Sequence, residues 1–116
     1  MGYYVAGKYW EDKTLWQAAE GKACVELSVS ELADMSFDGW NIQSLADVAR
    51  ETRSIIKADM NYPILVTPEH RIMDGCHRIV KAVLNGQKSI KAIVLDVSDK
   101  DFPKPDYDEY LAVQNK

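Results

Sequence analysis

The sequence predicts an α+β fold in which a small mixed sheet is flanked by helices, and three patterns support that prediction. Apolar and polar residues alternate over residues 24–29, which is the period of a half-buried strand. From Asn41 onward the apolar residues recur at spacings of three and four, which is the period of a helix with one buried face. Pro63 then opens two short apolar runs separated by Pro68-Glu69-His70, the pattern of a β-hairpin.

Residues 1–22 are rich in aromatic side chains and show no sustained period. A short helix over Lys13–Glu20, ended by Gly21, is the one element predicted there. We interpret the segment as a lid or as an arm that packs against the core. Its aromatic residues are Tyr3, Tyr4, Tyr9, Trp10 and Trp16.

The strand over residues 24–29 should bury every second side chain, because residues two apart lie on one face of a strand. Those side chains are Val25, Leu27 and Val29. A turn over residues 36–40 should follow, since that stretch contains an Asp-Gly pair.

The first long helix should begin at Ser44, whose spacing to Asp47 is that of a capping box, or at Asn41. It should end near Asp59, because Pro63 disfavours helical geometry at the residue before it. The stripe expected to face the core comprises Ile42, Leu45, Ala49, Thr52 and Ile56.

Two strands joined by a tight turn are predicted next, over Pro63–Thr67 and Arg71–Met73. A helix over His77–Asn85 follows, and Gly86 is placed to end it in the left-handed conformation. The residues of that helix expected to face the core are Ile79, Val80, Val83 and Leu84.

The last strand of the sheet is predicted over Ser89–Leu95, with Lys88 and Lys91 exposed. An acidic segment follows, in which a final helical turn should begin at Asp106. We expect one domain over residues 1–116, because 47% of the residues are apolar and this length suits a single core. Within it we expect the core at about residues 24–97, the aromatic arm at 1–22 and the acidic tail at 98–116.

The composition also narrows the setting in which the protein works. No stretch has the ~20 consecutive apolar residues of a membrane span, and the first residues lack the basic and apolar regions of a secretory signal. We therefore expect a cytoplasmic location and no membrane partner. Cys24 and Cys76 are too few for a disulfide framework, so we interpret both as reduced thiols.

The net charge of −4 argues against a general nucleic-acid binder, but the charges are unevenly distributed. Residues 50–91 carry 8 basic and 4 acidic residues, whereas residues 1–49 carry 3 and 8, and residues 92–116 carry 3 and 6. A small phosphorylated ligand suits this basic middle segment better than a nucleic-acid duplex does. A solvated basic helix face is an alternative explanation of the same excess.

The basic segment contains the motif Asp74-Gly75-Cys76-His77-Arg78, between a predicted strand and a predicted helix. A glycine lets the chain turn sharply there and lets a ligand approach the backbone closely. The first N–H groups of the helix lack intrahelical partners and the helix dipole adds positive charge, so a phosphate is favoured at this point. Arg78 can hold two phosphate oxygens and His77 can donate a further hydrogen bond. A capped, salt-bridged helix start is the alternative role for these two side chains.

Asp74 would repel a phosphate unless it binds Mg²⁺, accepts a proton from an attacking hydroxyl group, or holds His77 or Arg78 in position. Its alternative role is that of a turn residue. Cys76 should lie at the helix start beside two basic side chains, where the thiolate is favoured over the thiol and a nucleophile results. Its alternative role is that of a small packing residue.

These residues and the order of elements around them resemble the ParB/sulfiredoxin superfamily over about residues 24–97. Gly75-Cys76-His77-Arg78 is similar to the Gly-Cys-His-Arg of sulfiredoxins, which use ATP to repair over-oxidised peroxiredoxin cysteines. Gln43-Ser44-Leu45 stands where sulfiredoxins carry the same three residues. The resemblance implies a ParB/sulfiredoxin-like fold, Cys76 as the catalytic thiol, His77 and Arg78 at the ATP phosphates, and Ser44 lining the nucleotide site.

Two positions depart from sulfiredoxins. Asn41 stands where they usually carry a phosphate-binding lysine, and Asp74 stands where they have another glycine. The Asp74-Gly75 pair is instead similar to the Asp-Gly-His-His-Arg of standalone ParB-like proteins, some of which are nucleotide-dependent kinases of free serine. Cys76 replaces the first histidine of that motif.

The first functional hypothesis is therefore phosphoryl transfer or nucleotide hydrolysis with ATP or ADP and Mg²⁺. The backbone of Gly75 to Arg78 and the Arg78 side chain would hold the phosphates, His77 would orient them, and Asp74 would bind the metal or act as the base. The phosphate acceptor, a small molecule or a protein, is undefined. The second hypothesis is sulfiredoxin-type reduction of a cysteine sulfinic acid through Cys76, and the third is a non-catalytic regulatory or DNA-associated module.

Overall fold

The computed structural model describes residues 2–114, so Met1 of the predicted arm and residues 115–116 of the predicted tail lie outside the described residues. The helices are α1 (Asp12–Ala19), α2 (Val29–Ala33), α3 (Leu45–Lys57), α4 (Cys76–Leu84) and α5 (Glu109–Gln114). The strands are β1 (Gly2–Val5), β2 (Lys8–Glu11), β3 (Val25–Ser28), β4 (Ile64–Val66), β5 (Ile72–Asp74), β6 (Ser89–Val94) and β7 (Tyr107–Asp108). Within the described residues, no helix has both the length and the apolar character needed to cross a bilayer.

The strands of residues 2–114 form two sheets. The smaller sheet has the order β1-β2-β7 and is antiparallel throughout. The larger sheet has the order β3-β6-β4-β5, in which β4 and β6 are parallel and the other pairs are antiparallel. The predicted α+β class and mixed sheet are confirmed, whereas β1, β2, α2 and β7 were not predicted.

The two central strands of the larger sheet are buried on both faces. Ile64 and Val66 of β4 pack on one side, while Leu65 between them packs on the other, as the period of two requires. On the first side the cluster includes residues of α2 and α4, and α3 contacts α4 in turn. On the second side the cluster includes Trp10 of β2 and Leu15 of α1. The sheet therefore has helices α2 and α4 on one face and the N-terminal segment on the other.

The N-terminal segment belongs to the core, because Trp10 is 3% exposed and Leu15 is fully buried. The C-terminal segment packs beside it: Trp10 Nε1 donates a hydrogen bond to the Pro103 carbonyl oxygen at 2.9 Å, and β7 pairs with β2. The helical turn predicted at Asp106 is wrong, because Asp106 Oδ2 accepts the Glu11 N–H and α5 begins three residues later. These hydrogen bonds and the β2–β7 pairing join the N-terminal and C-terminal segments.

The predicted boundaries of α3 are confirmed to within two residues, but its predicted core stripe is wrong. Ser44 caps the helix as expected, since its side chain accepts the Asp47 N–H at 3.1 Å. Every residue of the predicted stripe is exposed, Leu45 by 88%. The helix contacts α4 through polar groups instead, with Lys81 Nζ donating to the carbonyl oxygens of Ile56 and Ala58 at 2.7 and 2.9 Å.

Two smaller predictions of side-chain direction are also wrong. Val83 and Leu84 of α4 are 47% and 73% exposed, and Ala82 is buried in their place. Val25 lies on the edge strand β3 and is 44% exposed. The predicted end of α4 is confirmed, because Gly86 has a φ of +70° and its N–H bonds to the Val83 carbonyl oxygen.

Candidate functional site

The motif lies where β5 ends and α4 begins, and a tight hairpin sets its position. Thr67 is buried and its Oγ1 accepts the Arg71 N–H at 3.0 Å, which closes the turn between β4 and β5. The returning strand brings Asp74 opposite Leu65 in the register. The chain then turns at Gly75 and enters α4, so the predicted strand–motif–helix order is confirmed.

Gly75 is required at this turn by its conformation and by its packing. Its φ is +120°, a region that L side chains rarely adopt. A Cβ at this position would lie 2.4 Å from Ile64 Cγ2 of the neighbouring strand. Close contact between helix and sheet therefore explains the glycine without reference to a ligand.

Asp74 holds two side chains in place through one oxygen. Its Oδ2 accepts a hydrogen bond from Trp16 Nε1 at 2.8 Å and lies 3.7 Å from Arg78 Nη2. The Arg78 guanidinium carbon also lies 5.9 Å from the centre of the Trp16 ring, a cation–π distance. Of the roles expected for Asp74, positioning of Arg78 is therefore visible in its contacts.

Arg78 nonetheless has hydrogen-bond donors without acceptors. Its side chain is 15% exposed, and no described residue accepts a hydrogen bond from its buried Nε and Nη2 atoms. Buried donors without acceptors are costly, and a guanidinium is well matched to the oxygens of a phosphate or a carboxylate.

The N-terminus of α4 is the second group of donors at this place. Gly75 occupies the cap position, and no side chain caps the helix. The first intrahelical bond runs from the Ile79 N–H to the Gly75 carbonyl oxygen at 3.0 Å. The N–H groups before Ile79 precede that bond, which is the arrangement of an anion site at a helix start.

His77 is fixed by two neighbours that the sequence did not link to it. Its Nε2 lies 2.6 Å from Glu51 Oε2 of α3, and its ring stacks on Trp40 with 4.6 Å between ring centres. The interplanar angle is 18°, so the two rings are nearly parallel. The His77–Glu51 contact and the Arg78–Asp74 ion pair agree with a salt-bridged helix start, but the helix has no side-chain cap.

Cys76 departs from the expectation of a thiolate. Burial raises the pKa of its thiol, and the negative charge of Asp74 adds to that effect. A hydrogen bond from the backbone N–H of Cys76 itself and the Arg78 charge lower the pKa and are the smaller effects. Arg78 favours the thiolate as predicted, but burial outweighs it, so the expectation that Cys76 is a thiolate is wrong.

We therefore expect Cys76 to react slowly with iodoacetamide at pH 7, after the exposed Cys24 has reacted. Because its pKa is raised, its rate should continue to climb at alkaline pH. Mass spectrometry of the two cysteine peptides over time measures both rates, with urea-unfolded protein as the control. Faster labelling of Cys76 than of Cys24 in the folded protein would contradict this.

Ser44, the remaining predicted site residue, does not line the cleft that contains the motif. Its side chain is used to cap α3, where Asp47 completes the turn by accepting the Gln43 N–H. That bond, together with the nearby Arg50 guanidinium, holds the pKa of Asp47 below its usual range. The structure thus gives Ser44 a capping role beside α3 rather than a place beside Cys76.

We expect Ser44→Ala to lower the free energy of unfolding by about 1 kcal/mol, as loss of an N-cap does. If the protein binds a nucleotide as the sequence predicts, the affinity of Ser44→Ala should stay within about threefold of the original value, because Ser44 does not line the cleft. Urea denaturation and calorimetric titration measure the two quantities, and Ser44→Asp, which preserves the cap, is the matched control. A large loss of affinity in both variants would return Ser44 to the ligand site.

A cleft of about 620 Å³ lies beside the motif, within the size range of small-molecule sites. Gly75, Cys76 and His77 form one wall. Strand β1 and the loop between α2 and α3 contribute aromatic residues to the others, namely Tyr3, Tyr4, Phe37 and Trp40. Its charged groups are Asp12, Asp38, Asp74 and Arg71, with His77 beside them.

The carboxylates of the cleft influence one another. Burial raises the pKa of Asp12, and the charge of Asp74 raises it further. Among the described residues no group of three or more His, Cys, Asp or Glu side chains is arranged to hold a metal ion.

The motif was predictable from the sequence, but its contacts with Trp16, Trp40 and Glu51 were not. Trp16 lies 58 positions from its partner Asp74, and Glu51 lies 26 positions from its partner His77. Trp40, which stacks on His77, lies in a loop whose sequence has no periodicity. The aromatic bulk of the first 22 residues was the one available signal.

Comparison with protein-family models, with curated proteins and with solved structures finds no match to this chain.

Proposed function

We propose that this protein binds the phosphates of a nucleotide at the N-terminus of α4 and transfers or hydrolyses a phosphoryl group there. The observation that carries the proposal is the presence of two sets of donors around Gly75, which lines the cleft although the buried Arg78 side chain does not. These are the N–H groups at the start of α4, which no side chain caps, and Nε and Nη2 of Arg78, for which no described residue is an acceptor. Both kinds of donor suit phosphate oxygens.

ATP or ADP with Mg²⁺ is the proposed ligand. The carboxylates of Asp12, Asp38 and Asp74 in the cleft would repel a polyphosphate that arrived without a cation. Mg²⁺ in proteins is commonly bound by one or two carboxylates together with substrate phosphates. Asp74 is the proposed protein ligand, because Trp16 and Arg78 both contact its Oδ2 and a carboxylate has two oxygens.

The proposed roles follow from the contacts. Enzymes of this class act mainly by positioning the reactants and stabilising charge. Arg78 and the first N–H groups of α4 would hold the phosphates, and His77, fixed by Glu51, would orient them. Asp74 would bind Mg²⁺ or accept the proton of the attacking hydroxyl group, and the proposal covers both a small-molecule and a protein acceptor.

Sulfiredoxin-type chemistry through Cys76 is the second candidate, and one observation favours it: Cys76 lines the same cleft. The raised pKa of its thiol leaves little thiolate at neutral pH, so we place phosphoryl transfer first.

A thermal-shift experiment tests the proposal, because a ligand that binds only the folded state raises the melting temperature. ATP, ADP, CTP and GTP are each added at millimolar concentration with and without Mg²⁺. We expect a rise with Mg²⁺ and a smaller one without it. A melting temperature indifferent to all of them would contradict the proposal and favour a non-catalytic regulatory or DNA-associated module.

Arg78→Ala should weaken nucleotide binding about 30-fold, since a buried charged hydrogen bond contributes on the order of 2 kcal/mol. Calorimetric titration below the melting temperature of each variant measures this. Arg53→Ala makes the same charge change at an exposed position of α3 and should be silent. Equal affinities of the Arg78 and Arg53 variants would remove Arg78 from the site.

A further inference from the structure

The loop between α2 and α3 forms one side of the cleft, where two of its aromatic rings lie in series with the His77 ring of α4. Phe37 meets Trp40 edge to face, with 5.0 Å between ring centres, and Trp40 stacks on His77 at 4.6 Å. We call Phe37, Trp40 and His77 the aromatic wall. Glu51 fixes the position of its last member, because it bonds to His77 Nε2 at 2.6 Å.

The aromatic wall is in contact with the cleft and is partly uncovered. All three of its residues line the cleft, and Phe37 is 52% exposed. A large apolar ring left half in water is a surface on which a planar ligand can stack, and such stacking is favourable with every nucleobase.

Asp38 lies within the same loop and supplies a hydrogen-bonding group beside the rings. It lines the cleft, it is exposed, and no side chain of residues 2–112 pairs with it. An ionised carboxylate only accepts hydrogen bonds. A ligand edge that carries an amino group would therefore be attracted to Asp38, and one that carries a keto oxygen would be repelled.

We propose that the aromatic wall is the nucleobase subsite of this cleft and that Asp38 selects bases with an exocyclic amino group. This inference rests on the proposed function, because the phosphates at the α4 start determine which end of the ligand reaches the wall. His77 belongs both to the α4 start and to the wall, so the base site begins where the phosphate site ends. Stacking on the wall should strengthen binding about tenfold over the phosphate chain alone.

The first test compares ligands by calorimetry on the unmodified protein with Mg²⁺. Tripolyphosphate lacks a base, and the pairs ATP/ITP and CTP/UTP differ in an amino group replaced by a keto oxygen. We expect ATP to bind about tenfold more tightly than tripolyphosphate, and the amino member of each pair to bind more tightly than the keto member. Equal binding of tripolyphosphate and ATP would overturn this inference and leave the proposed function standing. Absence of binding by every polyphosphate would overturn both.

The second test uses variants. In Asp38→Asn the affinities of the two members of each amino/keto pair should differ by less than about threefold, because an amide both donates and accepts hydrogen bonds. Asp34→Asn removes an exposed carboxylate at the end of α2 and should preserve the preference for the amino member. Phe37→Leu and Trp40→Ala should weaken ATP binding but not tripolyphosphate binding.

Tryptophan fluorescence gives a readout that does not depend on the affinity of damaged variants. ATP should quench the emission of the original protein more than tripolyphosphate does, because Trp16 can report the phosphates alone through Asp74 and Arg78. That difference should be lost in Trp40→Phe, which retains a ring for stacking. An ATP-over-tripolyphosphate difference in quenching that persists in Trp40→Phe, or an unchanged amino preference in Asp38→Asn, would overturn the assignment.

Discussion

Gly75→Ala should lower the free energy of unfolding more than any other glycine-to-alanine substitution between β2 and the end of α4. The added Cβ would lie 2.4 Å from Ile64 Cγ2 and 2.8 Å from Ile64 Cβ, and the φ of +120° is strained for any L side chain. Overpacking and backbone strain each cost about 1–3 kcal/mol, and total stabilities are commonly about 5–15 kcal/mol. We expect the melting temperature to fall by more than about 10 °C.

Gly86→Ala is the matched control, because Gly86 lies just past the other end of α4 with a φ of +70° and has no atom within 4 Å of the position of a Cβ. It should cost only about 1–2 kcal/mol, the penalty of a left-handed residue. Adding Ile64→Ala to Gly75→Ala should lower stability by less than the sum of the single changes, since the two side chains compete for one space. Equal melting temperatures for the Gly75 and Gly86 variants would contradict this account of the turn.

Asp74→Asn should reduce nucleotide turnover by at least about 100-fold, whereas Cys76→Ser should leave it within about threefold of the original rate. The asparagine retains an acceptor for Trp16 Nε1 but loses the charge that would bind Mg²⁺ or take a proton. Phosphate release from ATP, with and without candidate acceptors, measures the rates. Melting temperatures of both variants verify that they are folded, and Asp34→Asn is the control for loss of one charge.

The reverse pattern would support sulfiredoxin-type chemistry through Cys76 instead of phosphoryl transfer. If Cys76→Ser is inactive and Asp74→Asn is active, the chemistry depends on the thiol despite its raised pKa. Repair of an over-oxidised peroxiredoxin by the original protein, and its loss in Cys76→Ser, would then identify the reaction.

Local signals in the sequence predicted the elements near the motif well, for physical reasons that can be stated. Ser44 caps α3 and Gly86 ends α4, because caps depend on residues within one turn of the chain. The β4–β5 hairpin followed from its turn residues. These features need no knowledge of what packs against them.

Features that depend on distant contacts were not predictable in the same way. The periodicity of α3 identified an apolar stripe, but a period does not reveal whether another element covers it, and Leu45 and Ile56 are exposed by 88% and 67%. Trp10 joins the core only because β7 and Pro103 return to the N-terminal hairpin. Local propensity carries no information on such returns.

The same distinction between local signals and distant contacts applies to the candidate site. The motif and the N-terminus of α4 were predicted from five adjacent residues, and α4 begins at Cys76, one residue before the predicted start. The Trp16–Asp74 bond, the Glu51–His77 pair and the burial that raises the pKa of Cys76 all arise from residues far apart in the chain. The neighbouring charges therefore affect the pKa of the Cys76 thiol less than the sequence suggests, and the surrounding structure affects it more.

The most direct test of phosphate binding at the start of α4 is a ¹H–¹⁵N correlation spectrum of the protein titrated with ADP and Mg²⁺. The account predicts that the backbone amides of Cys76, His77 and Arg78 show the largest shifts, together with the Arg78 Nε–H, because these donors would bond to the phosphate oxygens. Inorganic phosphate at higher concentration should move the same amides. Saturable binding of ADP that leaves these amides unmoved would contradict the central claim.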